Sequence, residues 1–151
     1  MLIEFNKTFT KVIQNFSFGD LPIEVLKGLF KDGRTFAPFA EQLLAKEFTL
    51  KHITGCKGHD LTDIVDSSIQ YEQKTFTKGG CKFMPSNMIG QGRHFDKAVF
   101  DEKSKKLIYV IMSNINFPEI KIRFVKGSEM VERYPLGVIK FSEHDVFFRD
   151  L

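Results

Sequence analysis

Tryptophan is missing from this chain of 151 residues, and cysteine occurs only twice. Without Trp, the 17 phenylalanines must supply most of the bulk of a core. Cys56 and Cys81 sit far apart in Gly-rich polar stretches, so neither has the close-spaced partner of a zinc site or a redox pair. A disulfide between them stays open, but two cysteines fall short of a secreted disulfide scaffold. No stretch approaches the ~20 apolar residues that span a bilayer. No apolar leader is read at the start, because Glu4, Asn6 and Lys7 closely follow Met1-Leu2-Ile3. A cytoplasmic protein with no membrane partner is therefore expected. Repeats, low-complexity tracts and Pro/Ser-rich linkers are lacking too, which predicts one domain over residues 1–151. Charge of one sign is scarce as well: the net +3 permits nucleic-acid binding without demanding it.

What is present predicts an α/β chain of the mixed α+β kind, with a central mixed β-sheet flanked by helices. Ile3, Phe5, Phe9, Val12, Ile13 and Phe16 recur at spacings of two to four, which predicts a first helix stopped by Gly19. Asp20 is the expected N-cap of a second helix, with Pro22 in its first turn and Ile23 to Phe30 as its body. Phe36, Phe39, Ala40, Leu43, Leu44 and Phe48 form the apolar stripe of a third. Leu50 to Ile53 is a short extended piece, and Gly55 and Gly58 mark the loop after it.

Asp60 to Val65 and Ile69 to Phe76 read as strands joined by Asp66-Ser67-Ser68, which is turn chemistry. Residues 77–92 (TKGGCKFMPSNMIGQG) predict a long surface loop, with a short helix from His94 to Phe100 after it. Leu107 to Met112 (LIYVIM) has the almost wholly apolar character of a strand buried on both faces. Glu119 to Val125 alternates cleanly from Pro118 onward, and Ser142 to Asp150 reads as a short closing helix.

The chemistry concentrates in YEQKTF. Glu72 and Lys74 stand two apart, hence on one face of a strand. With a three-residue turn the pairing runs about Ser67, setting Gln70 opposite Ile64 and Glu72 opposite Thr62. Asp60, Glu72 and Lys74 then share a face and Asp63 points away; a one-residue change in the turn brings in Asp63 instead. Two carboxylates and the backbone carbonyl of Gln73 are hard oxygen donors suited to Mg²⁺. A lysine on the same face can help activate water and stabilise charge building on a phosphate. Metal-assisted phosphodiester hydrolysis is the reaction these groups fit. Taken alone, Glu-x-Lys is an ordinary exposed ion pair; the acid before the turn is what gives it weight.

An acidic residue, a hairpin and then Glu-x-Lys, preceded by a helix with a glutamate, resembles the PD-(D/E)xK nuclease superfamily. Within it, GHDLTDIVDSSIQYEQKTF is most similar to the type II restriction endonucleases related to PvuII, in its Gly-x-Asp-x-x-Asp start and Tyr-Glu-x-Lys finish. The likeness covers about residues 34–76. It implies a restriction-endonuclease-like core over residues 34–151, with Asp60, Glu72 and Lys74 as catalytic residues. It also implies a metal held by Asp60, Glu72 and the Gln73 carbonyl, and Glu41 assisting from the preceding helix, with Glu47 as its competitor. His59 stands where the family name places proline, and Gln73 where an apolar residue is more usual.

The implied protein is a Mg²⁺-dependent endonuclease that cuts double-stranded DNA at a short specific sequence, as a homodimer. Residues 1–33 are the candidate dimerisation region, or else core. A structure-selective nuclease (a junction resolvase or repair nickase) and a non-catalytic DNA-binding protein are the alternatives. Lys78, Lys82, Ser86, Asn87, Gln91, Arg93 and His94 are of the types that contact phosphates and base edges, which makes residues 77–92 and their flank the expected DNA-reading loop. Arg34 adds a phosphate contact or merely caps the third helix. Lys103, Lys105 and Lys106 are expected to form a solvated turn, and His52, His59 and His144 to be incidental.

Overall fold

The computed structural model describes residues 1–55 and 58–150. In chain order the elements are β1 (Thr8–Val12), α1 (Ile23–Phe30), α2 (Gly33–Glu47), β2 (Leu50–His52), β3 (Leu61–Asp63), β4 (Gln70–Phe76) and β5 (Cys81–Lys82). They continue as α3 (Lys97–Lys105), β6 (Leu107–Ser113), β7 (Glu119–Lys126), α4 (Gly127–Arg133), β8 (Val138–Ile139) and α5 (His144–Phe147), with short 3₁₀ turns at Ser86–Met88 and Phe141–Glu143. Six strands form one mixed sheet in the order β1-β7-β6-β4-β3-β2, and β5 pairs with β8 apart from it. The fold is mixed α and β, as expected.

β4 and β6 run parallel, so the chain must cross over between them, and α3 does so. This pair is the spine of the molecule. Its alternating side chains feed two cores. On one face Tyr71, Val110, Met112, Ile120 and Phe124 pack against Phe36, Ala40 and Leu44 of α2. On the other, Phe76, Tyr109, Ile111 and Val125 meet Phe100, Met130 and Phe147 from α3, α4 and α5. β6 is accordingly almost wholly apolar from Leu107 to Met112, with helices over both faces.

Several expectations change. Residues 3–16 hold no helix: β1 runs antiparallel to β7, with Phe9 opposite Ile122. Thr8, Thr10 and Val12 are β-branched and favour a strand, and Asn6 and Asn15 bracket it in the left-handed region (φ 59° and 55°). Phe9, Ile13, Phe16 and Phe30 pack on the core, so residues 1–33 contribute to it. α2 starts at Gly33 because the Asp32 carboxylate accepts the N–H groups of Arg34 (2.8 Å) and Thr35 (3.4 Å). The helix placed at His94 to Phe100 begins instead at Lys97, capped by Asp96, and takes in the supposed DEKSKK turn as far as Lys105.

The loop at residues 77–92 is only partly a surface loop. Cys81, Phe83 and Met84 are buried, and β5 closes on β8 with Cys81 opposite Ile139. Gly80, at φ 92°, permits that closure: a Cβ there would sit 2.6 Å from the Ile139 carbonyl oxygen.

Candidate active site

β3 and β4 are paired Leu61 to Tyr71 and Thr62 to Gln70, two residues away from the expected register. A shift of two preserves which face each side chain takes. The cause is the turn. Asp63 Oδ2 accepts the N–H groups of Val65 and Asp66, both at 2.9 Å, and Asp66 Oδ1 accepts those of Ser68 (N–H, 3.0 Å; Oγ, 2.6 Å). Asp63 is thus occupied in shaping the hairpin tip.

Asp60 is placed by a different device. Its N–H donates to the Tyr71 carbonyl (3.0 Å), although Tyr71 already faces Leu61, so two residues stand opposite one, as in a β-bulge. The bulge turns the Asp60 carboxylate toward β4, where Oδ2 accepts the Gln73 N–H at 2.9 Å. Asp60 thereby takes the position of the next rung of the ladder. In an antiparallel pair a residue exchanges both its N–H and C=O with the same side, so the Gln73 carbonyl projects beside Asp60 also. The Gln73 side chain is buried and donates to Thr75 Oγ1 (3.0 Å).

Asp60, Glu72 and Lys74 line one open cavity of about 390 Å³, together with His59, Ser86, Asn87, Lys103 and Tyr109. Glu72 lies beside Tyr109 of β6 in register. Burial, and then the adjacent Asp60 carboxyl, push the Glu72 pKa up to about 8, against the pull of Lys74 and Lys103. Two acids are pressed together here, and one of them keeps its proton near neutral pH.

Glu41 is placed elsewhere. It projects from α2, which packs on the other face of the sheet, and does not line this cavity. Its Oε1 meets His52 Nε2 at 3.0 Å, and burial followed by the Asp60 charge raises its pKa. Asp60, at the edge where the β3–β4 ladder ends, is felt by acids on both faces. Glu47 is engaged with Lys11 at 2.7 Å. His52 and His144 are not incidental: His52 holds Glu41, and the buried His144 bridges Ser113 Oγ (2.7 Å) and Asp145 Oδ1 (2.9 Å). None of these three bonds is encoded in the sequence spacing of the histidines.

The expected DNA-contact residues are scattered. Ser86 and Asn87 line the cavity. Arg93 donates to the Ser86 carbonyl (2.8 Å) and so braces that loop. Lys82, Gln91 and His94 are exposed and away from the cavity lining. Lys78 lines a separate hollow with Asp32 and Gly33, and the Arg34 side chain is 95% exposed beside Asp32. Lys103 is the residue that the sequence reading missed; a helical phase for DEKSKK would have found it. Cys81 offers no nucleophile, since burial pushes its thiol up to about 12. Cys56 lies outside the described residues.

Among the described residues, no group of three or more His, Cys, Asp or Glu side chains is arranged to hold a metal. The donors that fit one are two carboxylates and a carbonyl: Asp60, Glu72 and Gln73. Crowding that drives Glu72 to retain a proton is what a divalent cation between the carboxyls would relieve, and Mg²⁺ needs few protein ligands because it keeps several waters. No helix among the described residues is long and apolar enough to cross a membrane. Comparison with protein-family models, curated proteins and solved structures finds no match to this chain.

Proposed function

We propose that this protein is a Mg²⁺-dependent deoxyribonuclease that hydrolyses phosphodiester bonds of double-stranded DNA at a short specific sequence, in the manner of type II restriction endonucleases. The observation that carries the reading is the crowded Asp60–Glu72 carboxyl pair with Lys74 in the same open cavity. The order of α2, β2, β3, β4, α3 and β6 also supports it, since it sets the acid, the Glu-x-Lys strand and the apolar strand in the succession that the resemblance requires.

In this reading Asp60, Glu72 and the Gln73 carbonyl would hold Mg²⁺, which when bound supplies a Lewis acid for the phosphoryl oxygen. The Gln73 N–H fixes one Asp60 oxygen and leaves the other for binding. Lys74 hydrogen-bonds the attacking water and meets the negative charge that builds on the phosphate. Ser86, whose carbonyl Arg93 holds, and its neighbour Asn87 reach the substrate from the cavity rim. Homodimerisation belongs to the proposal because a palindromic site calls for two-fold symmetry. An apolar hollow of about 330 Å³ around Phe16, Leu21 and Leu29, flanked by Phe18 at 74% exposure, is the surface for it.

The test is incubation of supercoiled plasmid with the protein and Mg²⁺, with EDTA as the control. Discrete fragments support the reading. Cutting confined to branched DNA would favour a structure-selective nuclease, and no cleavage with any divalent metal would remove both nuclease readings.

A further inference from the structure

DEKSKK, expected to be a solvated turn, ends a helix that is docked firmly beside the site. Ser104 is buried, and its Oγ meets the Tyr109 hydroxyl at 2.8 Å. Tyr109 is the β6 residue in register with Glu72. From the other side, the start of α4 packs so closely that a Cβ on Gly127 would collide with the Ser104 and Leu107 carbonyls. The backbone at Lys103 is therefore fixed relative to Glu72, and its exposed side chain lines the same cavity as Asp60, Glu72 and Lys74.

Lys103, Lys105 and Lys106 make no ion pair among the described residues. Lys105 and Lys106 line a second hollow of about 260 Å³ with Lys126 and Ser128, and that hollow shares Leu107 with the cavity. Lys126 is steadied over the Phe5 ring, 5.5 Å from its centroid. The result is two lysines in the cavity, Lys74 and Lys103, and three more in the hollow that adjoins it at Leu107. A small anion satisfies one of these positions. A chain with a charge on every unit satisfies them in succession.

We propose that Lys103 is a substrate-contact residue that binds a phosphate oxygen of a DNA strand, and that Lys105, Lys106 and Lys126 carry the same strand's backbone away from the cavity. The inference deepens the nuclease reading and rests on it. Phosphate neutralisation releases counterions, so each contact adds about 0.9 to the slope of log affinity against log salt.

The experiment measures binding of a duplex oligonucleotide containing the cleaved sequence across a salt series, in Ca²⁺ so that binding is read without turnover. Where plasmid digestion yields no such sequence, a mixed-sequence duplex is the probe. Lys103→Ala should weaken binding by about tenfold and lower the salt slope by about one. Lys103→Arg should restore both. A triple alanine variant at Lys105, Lys106 and Lys126 should lower the slope by about three, whereas Lys46→Ala, across the sheet on α2, should change neither. Unchanged affinity and slope in Lys103→Ala would overturn the inference, even with cleavage intact. Lysine-dependent binding without Mg²⁺-dependent cutting would retain the phosphate contact and remove the nuclease reading. A wild-type protein that does not bind the duplex would remove both.

Discussion

The carboxylate of Asp60 and the backbone N–H of Gln73 are joined by a hydrogen bond of 2.9 Å, which ties the first acid to the strand that bears the second. Asp60→Asn keeps an acceptor for that N–H and loses the charge, while Asp60→Ala loses both. Both should cut cleavage by at least ~10²-fold through weakened metal binding, and Asp60→Ala alone should also lose the ~1 kcal/mol of stability of that hydrogen bond, seen as a lower melting temperature. Plasmid cleavage and thermal melts separate the two effects.

Lys74 is predicted to act on the reaction and not on the fold. Lys74→Ala should lower the cleavage rate by ~10²–10⁴-fold with little change in melting temperature. Intact cleavage in that variant would remove Lys74 from the site even if the activity is right.

Glu41 should matter far less than Asp60, because it lies on α2 across the sheet and is held by His52. Glu41→Gln is expected to lower cleavage by less than ~10-fold, acting only through the field at Asp60. A loss equal to that of Asp60→Asn would show that Glu41 reaches the substrate.

Glu72 gives the metal-free protein a pH signature. Its pKa rises from an ordinary 4.5 to about 8 on folding, so the folded chain binds that proton more tightly than the unfolded chain. Stability from this group is fully present below about 4.5 and is lost as pH rises toward 8. The loss should be on the order of a few kcal/mol, and Glu72→Gln should abolish it. Denaturant melts in EDTA across that window check the slope, and added Mg²⁺ should flatten it in wild type.

Gly127 should tolerate no side chain. The Cβ of Gly127→Ala would meet the Ser104 and Leu107 carbonyls, both backbone atoms that cannot swing aside. A destabilisation of about 1–3 kcal/mol or more is expected, read as a lower denaturation midpoint.

The sequence announced the strands around the site because their signals are local. LIYVIM has no polar residue to place outside, and Glu-x-Lys fixes a shared face by parity alone. The register of β3 on β4 was not legible, since Asp63 and Asp66 both bind turn amides and Asp60 enters through a bulge, contacts that no periodicity encodes. Residues 3–16 misled because spacings of two to four suit a helix and a strand alike, and pairing with β7 decides the matter. Phe83 and Cys81 looked like loop residues because their partner, Ile139, is far along the chain. Lys103 was lost with the phase of its helix.

The short β3–β4 ladder carries a kinetic consequence. Within the sheet β2 pairs with β3 alone, and β3 meets β4 at Leu61–Tyr71 and Thr62–Gln70 with single backbone bonds from Asp60 and Asp63 beyond them. Off the sheet, Leu50 and Leu61 are buried against α2 and His52 holds Glu41. Because the β3–β4 ladder is so short, the outer two strands should open locally at lower cost than global unfolding, restrained by their packing on α2. Their amides should exchange with deuterium together and ahead of those in β6. Whatever grips Asp60 and Glu72 at once ties these strands to β4, and the exchange clock of β2 and β3 would then keep time with occupancy of the cavity.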